Sequence, residues 1–154
     1  MPSFQVPQTG HLLRDIAVHA VHRELRPVYR LTETSKLPRR AWDFIPREGL
    51  ENLAQAVILR LLTPRGELAA LGHPEYGSRV HELIGQENNT SQRNLLKLFI
   101  LEALKLEPRV EKVAELSVVP SPGARSTVDV LLRVKPVGAS TLVTIGPFAI
   151  ELAV

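Results

Sequence analysis

The side chains that could perform chemistry in this 154-residue chain are a few histidines and glutamates. His19 and His22 are three residues apart, a spacing that would place two imidazoles on one face of a helix, where they could bind a metal ion. No carboxylate cluster accompanies this pair, and His11 stands apart from it. An exposed helix face without metal is therefore the better interpretation.

A second group combines histidines and carboxylates: His73, Glu75, His81, Glu82 and, further on, Glu87. Two carboxyl groups held across a cleft can act as the acid and base of glycoside hydrolysis. Nothing in the spacing indicates that two of these glutamates face each other, so the sequence favours solvated carboxylates. We predict no catalytic residue, no metal and no cofactor.

Other chemistry leaves no trace in the residue pattern. A P-loop, a nucleophile elbow and a zinc-binding His-Glu-x-x-His helix are all missing, and the chain has no cysteine for disulfides or thiolate sites. Residues 1–47 hold eight basic and four acidic side chains, whereas residues 48–154 hold eleven and twelve. Without a nucleic-acid-binding motif, this basic excess indicates a solvated arm, and no nucleic-acid partner is expected.

The composition, 44% apolar and 23% charged, is typical of a soluble globular protein. The most apolar stretch, residues 95–106, includes Lys97, Glu102 and Lys105 and is too short to cross a bilayer. No secretory signal is visible. We therefore expect a cytoplasmic protein without a membrane partner.

The N-terminal arm, residues 1–47, is predicted to begin with an amphipathic helix over residues 11–25, where apolar side chains recur with a 3.6-residue period. Pro27 would end this helix. Residues 32–40 are polar and Pro-punctuated and indicate a linker. Trp42 and Phe44 then follow as two aromatic anchors in a chain that has few aromatics.

Residues 48–154 are predicted to form the main domain. Helices are expected at 50–63, 78–84 and 92–106, with Ser78 capping the second, Thr90 or Ser91 capping the third, and the third buried on most sides. The period then changes to two, which predicts strands at 113–119, 127–135 and 141–153. This order predicts an α+β fold, with the helices packed on a three-stranded antiparallel sheet formed by the C-terminal half.

Five short motifs occur in order: Leu61 to Thr63, Arg65-Gly66-Glu67, Pro74 to Ser78, Leu83 to Gly85, and Glu107-Pro108-Arg109. In this order and spacing they resemble the small baseplate-wedge family of contractile phage tails and contractile injection systems, which is also called lysozyme-like. The resemblance covers about two-thirds of the chain and begins near Asp43.

The resemblance implies an assembly role in the baseplate. Glu107, Pro108 and Arg109 would dock on other wedge subunits. A strand carrying Phe148, Ile150 and Leu152 would be added to a sheet of the sheath subunit. The subunit would then link the wedge to the first sheath ring without catalysing a reaction, inside an assembled particle or virion tail.

The connector motifs are expected to be structural. Gly66 and Gly77 are predicted to take positive φ, Tyr76 to pack against the helices, and Arg65 and Glu67 to clamp the turn that Pro74 follows. The helix over residues 11–25, which precedes the resembling region, is expected to contact a neighbouring baseplate protein.

Two other functions remain open at this point. The lysozyme-like name raises the hypothesis of a peptidoglycan-hydrolysing baseplate enzyme. A free regulatory adaptor with the same fold is the other possibility, because fold alone does not determine function.

Overall fold

The computed structural model describes residues 13–23, 26–31, 33–36 and 41–152. The chain divides into two compact units, Met1–Ala56 and Val57–Val154. The boundary falls within α1 (Gly49–Leu62), C-terminal to the boundary predicted between residues 47 and 48.

The first unit contains short antiparallel strand pairs. The pairs are β1 (Arg14–Ile16) with β6 (Pro46–Glu48), β2 (Val18–Arg23) with β3 (Arg26–Leu31), and β4 (Glu33–Lys36) with β5 (Ala41–Phe44). The strands thus pair in nested fashion, since β1 pairs with the last strand of the unit.

The predicted helix over residues 11–25 is wrong. Its ends, residues 11, 12, 24 and 25, lie outside the described residues, but residues 14–16 and 18–23 are strands. The β-branched side chains of Ile16, Val18 and Val21 disfavour a helix, and backbone pairing with distant residues outweighs the local period. The predicted linker is also partly strand, at β4. The side chain of Trp42 lies outside the described residues, whereas Phe44 is partly exposed.

Gln55 of α1 fixes the backbone of the first unit at the junction of β1 and β2. Its Nε2 donates to the carbonyl of Ile16 at 2.8 Å, and its Oε1 accepts from the N–H of Val18 at 2.9 Å. Between these residues, Ala17 is buried and donates its N–H to the carbonyl of Ile45 at 2.7 Å. Gln55 itself is buried, so an amide on the helix satisfies two backbone groups of the strand junction.

Two of the three predicted helices are α-helices. α1 and α2 (Thr90–Lys105) agree with the predicted ranges to within two residues at each end. The helix predicted at 78–84 is instead a single 3₁₀ turn, Val80–Leu83. Asn89, and neither Thr90 nor Ser91, caps α2, because its Oδ1 accepts from the N–H of Gln92 at 2.9 Å.

The sheet of the second unit is an antiparallel meander in the order β7-β8-β9. Its strands are β7 (Val110–Pro120), β8 (Thr127–Pro136) and β9 (Val143–Glu151). β8 alternates between fully buried and partly exposed side chains, as expected for a central strand with one face on the core. The predicted α+β fold with a C-terminal three-stranded antiparallel sheet is confirmed.

Side chains of α2 and the sheet form the core of the second unit, and α2 packs against β7. The buried members include Leu96, Phe99, Ile100, Ala103 and Leu104 of α2, and Val128, Val130, Leu132 and Val134 of β8. The prediction that α2 is buried on most sides is wrong. An apolar stripe of Leu95, Leu98 and Leu101 lies on its exposed face, because residues three apart share one side of a helix.

Candidate docking surfaces

The Glu107-Pro108-Arg109 segment forms a tight turn between α2 and β7. The N–H of Glu107 donates to the carbonyl of Leu104 at 3.1 Å, and the N–H of Val110 donates to the carbonyl of Glu107 at 3.1 Å. Pro108 disfavours helical dihedrals at the residue before it, which is consistent with the end of α2 at Lys105. The turn is therefore held by backbone hydrogen bonds on both sides of an exposed proline.

Glu107 lies between two arginines. Its Oε2 accepts from Nε and Nη2 of Arg60, at 3.2 and 3.1 Å, and its Oε1 accepts from Nε of Arg109 at 2.6 Å. Glu107 is only 3% exposed and Arg60 only 7%. The side chain of Arg109 is 18% exposed. We refer to these three residues as the arginine–glutamate triad.

The two arginines favour the charged form of Glu107 although this carboxyl is buried. Burial by itself would raise the pKa of Glu107. The hydrogen bond from Arg109 and the positive charges of Arg109 and Arg60 outweigh burial, so the pKa of this carboxyl lies below its usual value. Two cations and one anion leave the triad with one net positive charge.

The location of Glu107 bears on its predicted docking role. Both carboxylate oxygens are used inside the chain and almost none of the side chain reaches solvent. Docking by Glu107 itself stays an untested prediction, and in this structure its carboxylate is withdrawn from the surface. Arg109 is the member of the triad that reaches the surface.

Sequence reasoning missed Arg60. One signal was available: Arg60 follows Val57 by three residues, so the two side chains share a helical face, and Val57 is fully buried. The Cζ atom of Arg60 also lies 4.5 Å from the centroid of the Tyr76 ring, a cation–π distance. Tyr76 thus packs against α1, as the sequence predicts.

The two ends of the connector from α1 to the 3₁₀ turn are joined by backbone hydrogen bonds next to Gly77. Ser78 N–H donates to the carbonyl of Thr63, and Arg65 N–H donates to the carbonyl of Ser78, both at 2.8 Å. Gly77 has φ +104°, and a Cβ there would lie 2.6 Å from the Thr63 carbonyl oxygen. Only glycine fits both the dihedral and the space.

Other connector residues form local contacts. Gly66 has the predicted positive φ, +86°. Arg65 forms an ion pair with Glu75, and the N–H of Glu67 donates to the carbonyl of Pro64 at 3.1 Å. Pro74 is exposed within the turn that the N–H of Tyr76 closes on His73, at 3.2 Å.

β9 is an edge strand, since it pairs with β8 on one side and with no other described strand. Ile150 and Leu152 are buried in the core of the chain itself, and Phe148 is partly buried. Their side chains therefore face inward, which differs from the contact surface that the sequence predicts for them.

The backbone of β9 offers other groups for binding. Leu152 N–H donates to the Ser126 carbonyl at 2.7 Å, next to β8. Hydrogen-bonded positions alternate along an antiparallel pair. Ala149 and Glu151 therefore point their N–H and C=O groups away from β8.

Glu75 and Glu82 lie on the surface in ion pairs, and Glu87 is exposed. Nη2 of Arg79 donates to Oε2 of Glu82 at 2.8 Å, and this hydrogen bond lowers the pKa of the Glu82 carboxyl. Glu75 pairs with Arg65, and Nδ1 of His81 lies 3.2 Å from the carbonyl of Ser78. His11 and the side chains of His19 and His22 lie outside the described residues. Within the described part, no three His, Asp or Glu side chains gather as a metal site would require.

Among the described residues, no helix is long and apolar enough to cross a bilayer.

Comparison with known proteins identifies a structural relative. No family model matches the chain, and no curated protein matches it. Among solved structures, the chain is similar to the crystal structure of a candidate tail lysozyme from Geobacter sulfurreducens. The match has a TM-score of 0.57 and 23% identity, and it covers 66% of this chain and 89% of that chain. At this identity the likeness shows a shared fold.

Proposed function

We propose that this chain is a structural, non-catalytic subunit of the baseplate of a contractile phage-tail-like particle. It would join the wedge core to the first sheath ring, so that sheath assembly begins on it, and it would be incorporated from the cytoplasm. The shared fold with a candidate tail lysozyme and the ordered series of wedge-like motifs support this proposal.

The edge strand β9 is the observation that carries the proposal. Its inward side chains anchor it in the core, while Ala149 and Glu151 present backbone groups outward. A strand edge that no other described strand pairs with is a template for strand addition, which supplies main-chain hydrogen bonds to a partner. Proteins usually protect such edges against aggregation, and a sheath strand would cover this one in the particle.

Electron microscopy of particles from the producing cells tests this function. Deletion of the gene is expected to leave tubes without sheath, and the unaltered gene supplied in trans is expected to restore them. Normal sheathed particles in the deletion strain would refute the baseplate role.

A pair of variants at one position tests the edge itself. Ala149→Pro removes an outward N–H without removing a hydrogen bond to β8, and proline is tolerated at such edge positions. Ala149→Val keeps the N–H and favours a strand. We expect sheathless tubes with the proline and sheathed particles with the valine. Equal sheathing in both would place the sheath contact elsewhere.

Peptidoglycan hydrolysis is the second candidate, favoured by the fold shared with a candidate tail lysozyme. A glycosidase acid normally has a raised pKa, whereas the pKa of Glu82 is lowered by Arg79. Release of soluble fragments from purified peptidoglycan would support an enzyme, provided that Glu75→Gln or Glu82→Gln abolishes it. If the parent and both variants release the same amount of fragments, these glutamates are not the catalytic residues of such an enzyme.

A further inference from the structure

The exposed face of α2 carries a row of apolar side chains. Leu95, Leu98 and Leu101 follow one another at three-residue steps and are 36%, 50% and 41% exposed. We refer to these three residues as the leucine stripe. A single exposed leucine is common on protein surfaces, whereas a contiguous apolar patch is typical of a surface that binds another molecule.

The leucine stripe borders a groove between α2 and the 3₁₀ turn. The groove is lined by Leu83, Leu95, Leu98 and Phe99 together with Arg79 and Glu82. The Cζ atom of Arg79 lies 4.3 Å from the centroid of the Phe99 ring, and its Nε and Nη2 each donate to Glu82 at 2.8 Å. These contacts fix one wall of the groove, so its shape exists before anything binds, which lowers the entropic cost of binding.

The charges differ on the two sides of the leucine stripe. Lys97, Leu101 and Lys105 follow one another at four-residue steps, so the two ammonium groups lie one turn to either side of Leu101. Among the described residues, no carboxylate pairs with Lys97 or Lys105. On the groove side, by contrast, Glu102 lies 3.9 Å from the guanidinium of Arg79. The lysine side is thus positive, whereas the groove side is not.

We propose that the leucine stripe and its groove bind an amphipathic α-helix of another protein. The apolar side chains of that helix would lie on the leucines, and its Asp or Glu side chains would face Lys97 and Lys105. An amphipathic helix in an apolar groove is a common mode of recognition. This site shares no residue with the turn over residues 107–109 or with the edge of β9, and the inference does not depend on the proposed function.

Charge argues against a second copy of this chain as the occupant. In an antiparallel pair of α2 helices centred on Leu101, Lys97 of one copy would face Lys105 of the other, because each lies four residues from the centre. Neighbouring like charges on helices are destabilising. A helix with carboxylates at these positions would instead neutralise both lysines.

Charge also argues against a lipid surface as the occupant. Helices that lie on membranes carry mainly cationic side chains on their polar face, whereas Glu82 and Glu102 border the leucine stripe on the groove side. An anionic bilayer would repel both carboxylates. A partner helix, by contrast, needs carboxylates along one edge only.

Two synthetic helical peptides that differ only in charge test the inference. Both have leucines at spacings of three and four residues, flanked by glutamates in the acidic peptide and by lysines in the basic peptide. Binding to the purified full-length chain is measured by fluorescence anisotropy. The acidic peptide is expected to bind about tenfold more tightly, because each surface ion pair changes affinity severalfold. Equal binding of both peptides, or binding of neither, would refute the inference.

Charge reversal on α2 tests where the peptide binds. Lys97→Glu with Lys105→Glu is expected to reverse the preference, so that the basic peptide binds more tightly. The matched control, Lys112→Glu with Arg125→Glu, changes the net charge by the same amount at exposed positions outside α2 and should keep the preference of the parent. An unchanged preference in the α2 variant would contradict the proposed site.

Replacement of the leucines tests the apolar contact. Leu98→Gln with Leu101→Gln is expected to weaken binding of the acidic peptide at least about tenfold, because apolar burial is lost. Leu71→Gln is the control, since Leu71 is 73% exposed and lies outside α2. The melting temperature of each variant shows whether it is folded, and a folded α2 variant that binds like the parent would overturn the proposal.

Two further measurements distinguish the other occupants. Analytical ultracentrifugation of the parent chain alone is expected to show no dimer that Leu98→Gln with Leu101→Gln dissociates. Vesicles of phosphatidylcholine and phosphatidylglycerol are expected to sediment without the chain. A leucine-dependent dimer would assign the stripe to a second copy and leucine-dependent vesicle binding would assign it to a lipid surface, and either result would overturn the proposal.

Discussion

Replacement of Glu107 by glutamine should be among the most destabilising single changes in this chain. Glutamine has nearly the same shape as glutamate, so the change creates no cavity and removes only the charge and part of the hydrogen bonding. Arg60 would then remain buried at 7% exposure without a counter-charge. Breaking a buried ion pair by removing one partner costs about 3–5 kcal/mol.

That cost is large beside the total stability of a domain, about 5–15 kcal/mol. Arg109 is expected to contribute less to it, because its partly exposed side chain can be hydrated. The double variant Arg60→Met with Glu107→Met should recover most of the loss, since no unpaired charge stays inside. The coupling energy between the two positions is therefore expected to be at least about 2 kcal/mol.

Urea unfolding followed by circular dichroism measures these free energies, provided that the slope with denaturant is unchanged between variants. Glu115→Gln serves as the matched control, because its ion pair with Arg133 is about half exposed and should contribute about 0–1 kcal/mol. If Glu107→Gln costs no more than Glu115→Gln, Arg60 is solvated and the account of the triad is wrong.

Three further predictions concern the pKa of Glu107, the glycines of the connector and the cap of α2. The pKa of Glu107 is lower in the folded state than in the unfolded state. Its stabilising effect is therefore complete above its unfolded pKa of about 4.3 and is lost as pH falls through the folded pKa. The free energy of unfolding should thus fall more steeply with decreasing pH for the parent than for Glu107→Gln, as urea unfolding at several pH values would measure. Gly77→Ala should cost clearly more in urea unfolding than Gly66→Ala, which adds only the left-handed strain of about 1–2 kcal/mol, because a Cβ at Gly66 meets nothing within 4 Å. Asn89→Ala should lower the free energy of unfolding by about 1 kcal/mol through loss of the α2 cap, and an unchanged value would show that the neighbouring residues cap the helix instead.

Local patterns in the sequence predict the second unit well. α1, α2 and the three strands each have a period that their own residues display, and turn residues separate them. The predicted helix over residues 78–84 is longer than the 3₁₀ turn Val80–Leu83 because the apolar positions there also fit an α-helix. The predicted caps of α2, Thr90 or Ser91, lie one or two residues after the true cap, since Asn89, Thr90 and Ser91 are all good capping residues.

The remaining features depend on contacts between distant residues. β1 pairs with β6, roughly 30 residues further along the chain, and no local period reports that pairing. The Arg60–Glu107 contact joins positions 47 residues apart, so sequence patterns identify the Glu-Pro-Arg segment but not the arginine that orders it. Burial of Ile150 and Leu152 likewise follows from which face of β9 meets the core.

The triad also depends on the completion of folding. Its members come from α1 and from the turn after α2, and Tyr76 of the connector packs on Arg60. These segments meet only after the chain between them has closed, and such long-range contacts tend to form late. In a chain that is still partly unfolded, the Glu-Pro-Arg turn would lack the buried arginine that orders it. The surface around Arg109 is thus completed only when α1, the connector and the end of α2 have come together.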